Sequence, residues 1–383
     1  MISSLDIFAG AGGFTEGLRK ASINCVGAIE IDRFACETFR HNFPAIKVYR
    51  CDVREFSKSH IKRAFKGIDL LIGGPPCQGF SVAGPSQYGK IDSRNNLIFE
   101  VFRFANMLRP AVCVLENVKG ILKGKLSPRQ KALDEYISRM NSIGYFTRTY
   151  ILQTADFGVP QWRERVFIIS GKKESFLPKE IKGNFGTKRK PWVPVGDALG
   201  DLPPIEAGEG TDDLVPYQVK PKTSYQKWLR GESRGIANHI AMKHTPRLIE
   251  RFKRIPIGGS LVDVPKEHGQ RVRNGNELDV RMRFKMNNQR LDPKRVSTAI
   301  TASFQSNFVH PFLNRNLTAR EGARLQSFPD RFIFRGPRTL MSKSLLVREE
   351  RFDEIGVSQY NQIGNAVPPL VAEAIGKAIL NTI

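Results

Sequence analysis

A cysteine follows a short apolar run and four residues that force a turn. Residues 68–72 are almost wholly apolar and have the length of a buried parallel strand. The Gly-Gly-Pro-Pro run after them cannot continue a strand, so we predict that Cys77 lies at the carboxyl end, where open α/β sheets bind ligands. A lone cysteine is more often a structural core residue. This setting favours a nucleophile, because a thiol becomes strongly nucleophilic once its surroundings favour the thiolate.

A carboxylate is predicted at the same edge of the sheet. Residues 111–115 form a second buried apolar run, and Glu116, Asn117 and Val118 follow it. Because parallel strands end at a common edge, we expect Glu116 to lie near Cys77. A carboxyl group that exchanges a proton beside a nucleophile suits covalent catalysis, and we favour this hypothesis over a chance ion pair.

Glycines and acidic residues upstream predict a cofactor site on neighbouring strands. A strand over residues 4–8 leads into the glycine-bearing turn 9–14 and a helix, which lets the backbone approach a ligand closely. Glu30 ends the next strand and is placed to bind ribose hydroxyls, with a solvated strand-end carboxylate as the alternative. Asp52 follows a third strand and is suited to meet an adenine amino group. Thr15 stands where the dinucleotide-binding fingerprint needs its third glycine, which counts against a nicotinamide or flavin cofactor.

The composition indicates a globular protein with a polyanionic partner. The 383 residues include 60 Lys and Arg against 37 Asp and Glu, a net charge of +23. This charge favours nucleic acid first and an anionic membrane surface second. The five cysteines lack C-x-x-C spacing, which predicts a reducing cytosol without a disulfide framework or zinc site. No apolar run approaches membrane-spanning length and the first strand begins almost at residue 1, so we expect a cytoplasmic protein without a signal peptide or membrane partner.

The order of elements predicts the fold class. Strands and helices alternate through residue 171, which predicts an α/β fold with a doubly wound, mostly parallel sheet. From residue 172 to 294 the chain is rich in Pro, Gly, Lys and Arg, which predicts a smaller, irregular, basic domain or insertion. Strand character returns at 295–311, and a terminal amphipathic helix is predicted over 366–381.

These motifs, in this order and spacing, resemble those of DNA (cytosine-5)-methyltransferases of the bacterial restriction–modification type over nearly the whole chain. The turn at 6–13 is similar to the motif that binds S-adenosylmethionine, and residues 74–78 are similar to the nucleophile motif. Residues 116–118 resemble the second catalytic motif. Gln161-x-Arg163-x-Arg165 resembles the motif whose arginines flank the target base, and 362–369 resembles the last motif, whose helix completes the cofactor pocket.

The resemblance implies a Rossmann-like methyltransferase fold and a division of labour. We expect a catalytic and cofactor-binding domain at 1–205, a target-recognition domain with a hinge at 206–360, and a C-terminal helix at 361–383 that returns to the catalytic domain. The expected partner is double-stranded DNA, read by a monomer, with a cognate restriction endonuclease that acts separately. The implied methyl donor is S-adenosylmethionine, and no metal is required.

The resemblance also implies roles for individual residues. Cys77 would add to C6 of a flipped cytosine, Glu116 would protonate N3, Arg165 would hold O2, and Arg163 would steady the loop and the local charge. The residues expected to bind the cofactor are Phe8, Gly10, Gly12, Glu30, Ile31, Asp52, Val53, Pro76, Leu97 and Asn365. The residues expected to bind DNA are Ser81, Lys90, Arg94, Gln161, Arg271, Arg273, Arg281 and Arg283.

Two segments depart from the family pattern. Residues 295–301 lack the prolines usual in the penultimate motif, and the segment 336–356 is longer than expected.

Three other functions are alternatives to this one. A tRNA cytosine methyltransferase shares the catalytic motifs, but the large basic insert favours duplex DNA. A DNA-binding regulator that has lost catalysis is disfavoured because all four catalytic residues are present. A nicotinamide oxidoreductase is disfavoured by Thr15.

Overall fold

The computed structural model describes residues 2–76, 96–127, 130–269, 287–339 and 343–383. The chain divides into two compact units. The first unit consists of Met1–Gly158, Arg163–Phe185 and Ala366–Ile383, and the second consists of Val159–Trp162 and Gly186–Asn365. Residues 186–205 therefore group with the second unit, whereas the family resemblance implied a boundary at residue 206 and composition a change at residue 172.

A seven-stranded sheet forms the centre of the first unit. Its strands are β1 (Ser3–Ile7), β2 (Asn24–Glu30), β3 (Lys47–Arg50), β4 (Leu70–Gly73), β5 (Val112–Asn117), β8 (Phe146–Gln153) and β9 (Glu164–Gly171). A separate two-stranded hairpin, β6 (Lys125–Ser127) and β7 (Gln130–Lys131), lies between β5 and β8 in the chain. The sheet order is β3-β2-β1-β4-β5-β9-β8. Every neighbouring pair is parallel except β5–β9 and β9–β8. This confirms the predicted α/β fold with a mostly parallel sheet.

The strand order places a topological switch point between β1 and β4. The chain proceeds from β1 through β2 to β3 on one side and then crosses to β4 and β5 on the other. Open α/β sheets bind ligands in the crevice at such a point, outside the carboxyl ends of the strands. The residues that follow β1, β2, β4 and β5 are therefore the ones to inspect for a site.

Helices cover the sheet, and apolar side chains from both layers build the core. The helices of the first unit are α1 (Gly13–Lys20), α2 (Arg33–Asn42), α3 (Lys58–Ala64), α4 (Ile98–Leu108), α5 (Ala132–Ser142) and a C-terminal helix (Pro369–Leu380). One core cluster joins Leu71 of the sheet to Val101 of α4 and Tyr136 of α5, all fully buried. The C-terminal helix packs tightly on α1, since a Cβ atom at Gly17 would lie 2.3 Å from the carbonyl oxygen of Pro369.

The second unit has little regular structure. Its elements are α6 (Val195–Leu199), β10 (Gly210–Thr211), β11 (Val215–Pro216), α7 (Ser224–Arg230), β12 (Gly235–Ile236), β13 (His239–Ile240), α8 (Pro246–Lys253), β14 (Gln289–Arg290), α9 (Phe304–Asn307), β15 (Phe308–Val309), α10 (Ala319–Leu325), α11 (Lys343–Arg348) and α12 (Gln359–Asn365). Its strands pair two by two, as β10–β13, β11–β12 and β14–β15. This irregularity agrees with the composition of residues 172–294.

The strand prediction for one segment of this region is wrong. The segment 295–311 contains only the short α9 and the two-residue β15. Its backbone groups bond elsewhere instead of forming a ladder; Ser297, for example, bonds to Pro160 and Trp162. The terminal helix predicted over 366–381 is confirmed as Pro369–Leu380, and α12 precedes it as a separate helix.

Buried ion pairs take the place of a sheet in holding the second unit together. Arg324 of α10 is fully buried and donates to both carboxylate oxygens of Asp330, at 2.8 and 2.6 Å, and also pairs with Asp201. Arg315 donates to both oxygens of Glu321 at 2.9 and 2.7 Å. Burial alone would raise the pKa of Glu321, but Arg315 holds it well below its usual range. Removing one partner of such a pair would leave an uncompensated buried charge.

Among the described residues no single helix is long and apolar enough to cross a membrane, although one bent helix pair near the C-terminus passes on length and composition.

Candidate active site

A carboxylate and a guanidinium meet near the carboxyl end of β5. Glu116 lies on β5 opposite Phe167 of β9, and Arg165 is the second residue of β9. The Nε atom of Arg165 lies 3.1 Å from Oε1 of Glu116. Only 12% of the Glu116 side chain and 15% of the Arg165 side chain are exposed. The structure thus joins two residues that separate sequence motifs had singled out.

The turn after β4 approaches the same carboxylate. In the parallel pairing of β4 with β5, Gly73 lies opposite Leu115. A Cβ atom added at Gly74 would lie 3.3 Å from Oε2 of Glu116. The described chain that leads toward Cys77 therefore passes beside Glu116, while Cys77 itself lies outside the described residues.

Burial and charge act in opposite directions on Glu116. Loss of contact with water raises the pKa of this carboxyl group, and the positive charge of Arg165 lowers it, with burial the larger effect. A raised pKa increases the protonated fraction at neutral pH. Glu116 is therefore suited to donate a proton, and Arg165 limits how far its pKa rises.

The position of Arg163 is set by backbone contacts to the end of β8. Its N–H donates to Oε1 of Gln153 at 2.6 Å, and its carbonyl oxygen accepts from the N–H of Thr154 at 2.9 Å. Its side chain is only 5% exposed. These bonds hold the start of β9 in register, and so fix where Arg165 emerges.

Gln161 lies in the protein interior, whereas the sequence predicted a contact with DNA. It belongs to the second unit and is fully buried. Its Oε1 accepts from the N–H of Ile300 at 2.7 Å, and its Nε2 donates to Oε1 of Gln326 at 2.8 Å. A side chain that spends both ends of its amide on buried protein groups is an anchor. The structure therefore does not support the DNA contact predicted for Gln161.

Asn117 lies within the motif at 116–118, and the sequence suggested no role for its side chain. It is fully buried, and its Oδ1 accepts from the N–H of Val118 at 2.9 Å. Its Nδ2 has no hydrogen-bond partner among the described residues. Buried amide donors are normally paired, so this donor is an exception that the described residues do not explain. The only signal for Asn117 in the sequence was its position directly after Glu116, at the end of a predicted strand.

The described cysteines are poor candidates for a nucleophile. Burial raises the pKa of Cys25 and of Cys36 to about 12 and raises the pKa of Cys113 still further. The pKa of Cys51 is raised as well, again mainly by burial. Because the thiolate is the reactive form, these thiols are inert at neutral pH.

The glycine turn after β1 is tied to the end of β2 by Glu30. The N–H of Gly10 donates to Oε2 of Glu30, and the N–H of Asp32 donates to Oε1, each at 2.8 Å. Burial raises the pKa of Glu30, while these two bonds lower it. Phe8, Gly10 and Gly12 have positive φ angles of 67°, 55° and 96°, a conformation that turns the backbone back sharply. Next to this carboxylate, Ile31 is 63% exposed.

A second buried carboxylate lies beneath the same turn, and sequence reasoning missed it. The hydroxyl of Thr15 donates to Oδ2 of Asp6 at 2.7 Å, and both residues are buried. Burial raises the pKa of Asp6 to about 7; the Thr15 bond opposes this rise and the charge of Glu30 adds to it. Thr15 was the signal in the sequence for this carboxylate, because it stands in place of the third glycine of the dinucleotide-binding fingerprint. Its hydroxyl bonds Asp6 on the preceding strand, β1.

Asp52 already has a charged partner. Its two carboxylate oxygens bond Nε and Nη2 of Arg54 at 2.9 and 2.6 Å, which holds the pKa of Asp52 below its usual range. Val53 is buried beside it, and its carbonyl oxygen accepts from Arg103 at 2.8 Å. The segment after β3 is therefore anchored to α4, with one edge of Asp52 facing Arg54.

The remaining predicted residues fall in three groups. Pro76 is exposed after β4, and Leu97 is half-buried just before α4. Asn365 is exposed at the end of α12 and belongs to the second unit. The predicted residues outside the described part of the chain are Cys77, Ser81, Lys90, Arg94, Arg271, Arg273, Arg281 and Arg283. In the described part, no group of three or more His, Cys, Asp or Glu could hold a metal ion.

Comparison with known sequences gives consistent matches. A sequence model of the C-5 cytosine-specific DNA methylases matches residues 2–381. The Type II methyltransferase M.DdeI of Desulfomicrobium norvegicum is 42% identical over 98% of this chain and 88% of its own length. The Type II methyltransferase M1.HphI of Haemophilus parahaemolyticus is 32% identical over 99% of this chain and 87% of its own length.

Comparison with solved structures agrees. A crystal structure of a candidate DNA modification methyltransferase encoded within a prophage (E. coli) superposes with a TM-score of 0.75 and 26% identity, covering 100% of this chain and 99% of the other. The DNMT2 structure from Spodoptera frugiperda gives a TM-score of 0.60 at 15% identity, covering 99% of this chain and 100% of the other, and so shows likeness of fold alone.

Proposed function

This chain belongs to the C-5 cytosine-specific DNA methylase family, and from this premise we propose that it methylates a flipped cytosine in a specific duplex DNA sequence through a covalent Cys77 intermediate. It is a DNA cytosine-5 methyltransferase of the Type II restriction–modification class. The observation that carries the mechanistic proposal is the Glu116–Arg165 pair beside the turn after β4.

The reaction needs an activated ring, because C5 of cytosine is a poor nucleophile. The Cys77 thiolate adds to C6, and the ring electrons move toward C5 while N3 takes a proton. Glu116 supplies that proton, since its burial raises its pKa and keeps a larger fraction of it protonated. C5 then takes the methyl group, and the sulfur of the donor leaves as a neutral thioether. A base from solvent removes the C5 proton and the ring electrons expel Cys77 as the thiolate. N3 returns its proton to the Glu116 carboxylate, so both groups are restored.

Arg165 has two tasks in this proposal. Its Nε holds Oε1 of Glu116, which orients the acid. Its Nη1 donates to the carbonyl oxygen of Glu164 at 2.8 Å. In this proposal the positive charge of the guanidinium stabilises the cytosine O2, where negative charge grows as the thiolate adds. Arg163 keeps β9 in place through its backbone bonds to Gln153 and Thr154. A cytosine inside a base pair could not reach these groups, so the target must leave the stack, at a cost on the order of a few kcal/mol.

The residues after β1 and β2 fit S-adenosylmethionine. Glu30 lies at the switch-point edge, and each of its oxygens retains a lone pair beyond the bonds from Gly10 and Asp32, so it can accept from ribose hydroxyls. Exposed Ile31 offers an apolar surface for the adenine, and Asp52 lies after the adjacent strand. When bound, the cofactor supplies an electrophilic methyl group. These residues would hold it, and the positive-φ turn would bring backbone N–H groups close to it.

Trapping of the covalent intermediate tests the proposal. Incubation with duplex DNA containing 5-fluorocytosine and S-adenosylmethionine should give a complex that survives denaturing gels, because the fluorine cannot leave as the C5 proton does. Cys77→Ser should give no complex. The matched control is Cys113→Ser, which should behave like the parent because Cys113 is fully buried. A complex with the Cys77→Ser protein would overturn the assignment.

The biological setting is part of the same proposal. We expect a cytoplasmic monomer that protects host DNA from a separately acting restriction endonuclease. Bisulfite sequencing of DNA from a host that expresses the chain should show methylation at one short sequence, and the Cys77→Ser protein should leave that sequence unmethylated. Methylation scattered without sequence preference would contradict a protective role.

A further inference from the structure

One aromatic side chain of the second unit projects into solvent from a closed turn. Phe312 is 62% exposed. The turn that carries it is closed by an antiparallel bridge between Val309 and Asn316, and the N–H of His310 donates to the carbonyl oxygen of Arg315 at 2.8 Å. A single exposed apolar side chain is ordinary by itself. The way this turn is held is what distinguishes Phe312.

The ring of His310 holds the backbone of Phe312 from inside the turn. His310 is only 8% exposed, and its Nδ1 accepts from the N–H groups of Phe312 and Leu313, each at 3.1 Å. Burial lowers the pKa of His310 to about 4, so the ring is neutral at pH 7 and Nδ1 keeps the lone pair that these bonds need. The two rings lie edge to face, with centroids 6.1 Å apart. The phenyl ring is therefore displayed from a fixed backbone.

A buried arginine fixes the other side of the turn. Arg290 is 5% exposed, and its Nη1 donates to the carbonyl oxygens of His310 and Leu313 at 2.9 and 3.1 Å. Its Nε donates to the carbonyl oxygen of Ile255 at 2.8 Å, and its Nη2 donates to that of Phe252. Ile255 and Phe252 belong to a buried apolar cluster of this unit. One guanidinium thus ties the exposed turn to a core.

Cations follow the same anchor point. Lys253 and Arg254 come directly after Phe252, and their side chains are 56% and 43% exposed. Both pair with one carboxylate, that of Glu250, at 3.6 and 2.9 Å, which leaves positive charge in excess. Such an excess attracts the phosphates of a duplex. The charge next to the anchor of this turn therefore suits a surface that meets DNA.

We propose that Phe312 contacts the C5-methyl group of a pyrimidine in the major groove of the DNA substrate, and so contributes to the choice of sequence. A phenyl ring has no group for the hydrogen bonds that read base edges, and the C5-methyl group is the apolar feature that the major groove offers. A ring on a fixed turn loses little freedom on contact, which favours such recognition. The methyl group belongs to thymine, or to 5-methylcytosine on a strand already modified. The inference rests on the proposed function, since it takes duplex DNA as the substrate.

Deoxyuridine in place of thymidine tests the contact, because it removes only this methyl group. Duplexes that the protein binds are first selected from a randomised pool, which requires no methylation. Each thymine of a selected duplex is then replaced in turn, and affinity is measured by fluorescence anisotropy. At one position the parent should bind the uracil duplex roughly fivefold more weakly, for the loss of one buried methyl group. Phe312→Ala should bind both duplexes alike, and Phe312→Leu should still distinguish them.

A second set of duplexes distinguishes the two sources of the methyl group. Here 5-methylcytosine replaces each cytosine of one strand in turn. Tighter binding by the parent at one such position, lost in Phe312→Ala, would assign the contact to 5-methylcytosine and not to thymine. The matched control is Phe352→Ala. Phe352 is 60% exposed in the same unit, beside Asp353 and Glu354, and its loss should leave every parental preference unchanged.

Two results would overturn the proposal. One is a Phe312→Ala protein that keeps the parental preference for methylated pyrimidines, and the other is a parent that shows no such preference at any position. A ring that inserted between base pairs would give the second result, because insertion does not depend on the C5-methyl group. Failure of the catalytic proposal has a different sign, namely no 5-fluorocytosine adduct with the parent. Phe312→Ala should still form that adduct on duplexes that it binds.

Discussion

Replacement of Glu30 by alanine offers the most direct test of the cofactor site. Glu30 accepts two hydrogen bonds of 2.8 Å, from the N–H groups of Gly10 and Asp32, and these bonds tie the glycine turn to the end of β2. A hydrogen bond to a charged group contributes about 1.5–3 kcal/mol. Because the carboxylate lies at an edge where water can replace part of each bond, we expect Glu30→Ala to lower the free energy of unfolding by about 2–4 kcal/mol.

The effect on the cofactor should be separate from the effect on stability. Loss of the ribose partner, with a turn that is no longer held, should weaken S-adenosylmethionine binding at least tenfold, or about 1.4 kcal/mol. Calorimetry without DNA measures this affinity, and the shift in unfolding temperature on adding S-adenosylmethionine gives an independent value. Glu30→Gln should fall between parent and alanine, because its amide oxygen can serve one N–H group while its NH₂ faces the other.

The matched control is Glu37→Ala on α2. Glu37 forms an exposed pair with Arg33 at 2.8 Å, of the kind that contributes little to stability. It should leave the affinity for S-adenosylmethionine unchanged. Parental cofactor affinity in Glu30→Ala would refute the reasoning, even if the protein were less stable, because the carboxylate would then serve the fold alone.

Three further predictions concern the acid, the buried carboxylate and the helix packing. Arg165→Met should slow methylation by roughly a hundredfold or more, and should move the alkaline fall of the pH–rate profile to higher pH, because Arg165 lowers the pKa of Glu116. The pKa of Asp6 is raised by burial from 3.8 to about 7, so the folded state retains a proton and stability falls as pH rises between these values. Asp6→Asn should remove this loss, on the order of 4 kcal/mol, in urea unfolding at a series of pH values. Gly17→Ala should destabilise the protein by about 1–3 kcal/mol, since its Cβ would meet the carbonyl oxygen of Pro369.

Each of these predictions has an outcome that contradicts it. An unshifted alkaline limb in Arg165→Met would mean that Glu116 does not titrate in the reaction. An unfolding free energy of Asp6→Asn that follows pH as the parent does would mean that Asp6 is ionised in the folded state. A parental unfolding temperature in Gly17→Ala would mean that α1 and the C-terminal helix can separate at no cost.

The local sequence determined the elements and the edge at which the chemistry lies. Apolar runs of strand length, each ended by glycine, proline or an acidic residue, predicted the strands before Glu30 and Glu116 within two or three residues of their observed bounds. These signals are local, because a turn-forming residue ends a strand whatever surrounds it. The match to the family model confirms the resemblance to a known family, while the roles that the resemblance implied for individual motif residues stay predictions.

Other features could be decided only by the tertiary structure. Residues 295–311 contain β-branched side chains suited to a strand, but a strand needs a partner along its length, and the backbone of Ser297 bonds Pro160 and Trp162 instead. The same long-range pairing buries Gln161, which the motif alone had suggested for DNA. Arg165 meets Glu116 because β9 lies antiparallel beside β5, 49 positions along the chain. Strand order and register bring such residues together, and neither has a signal in the few residues around each side chain.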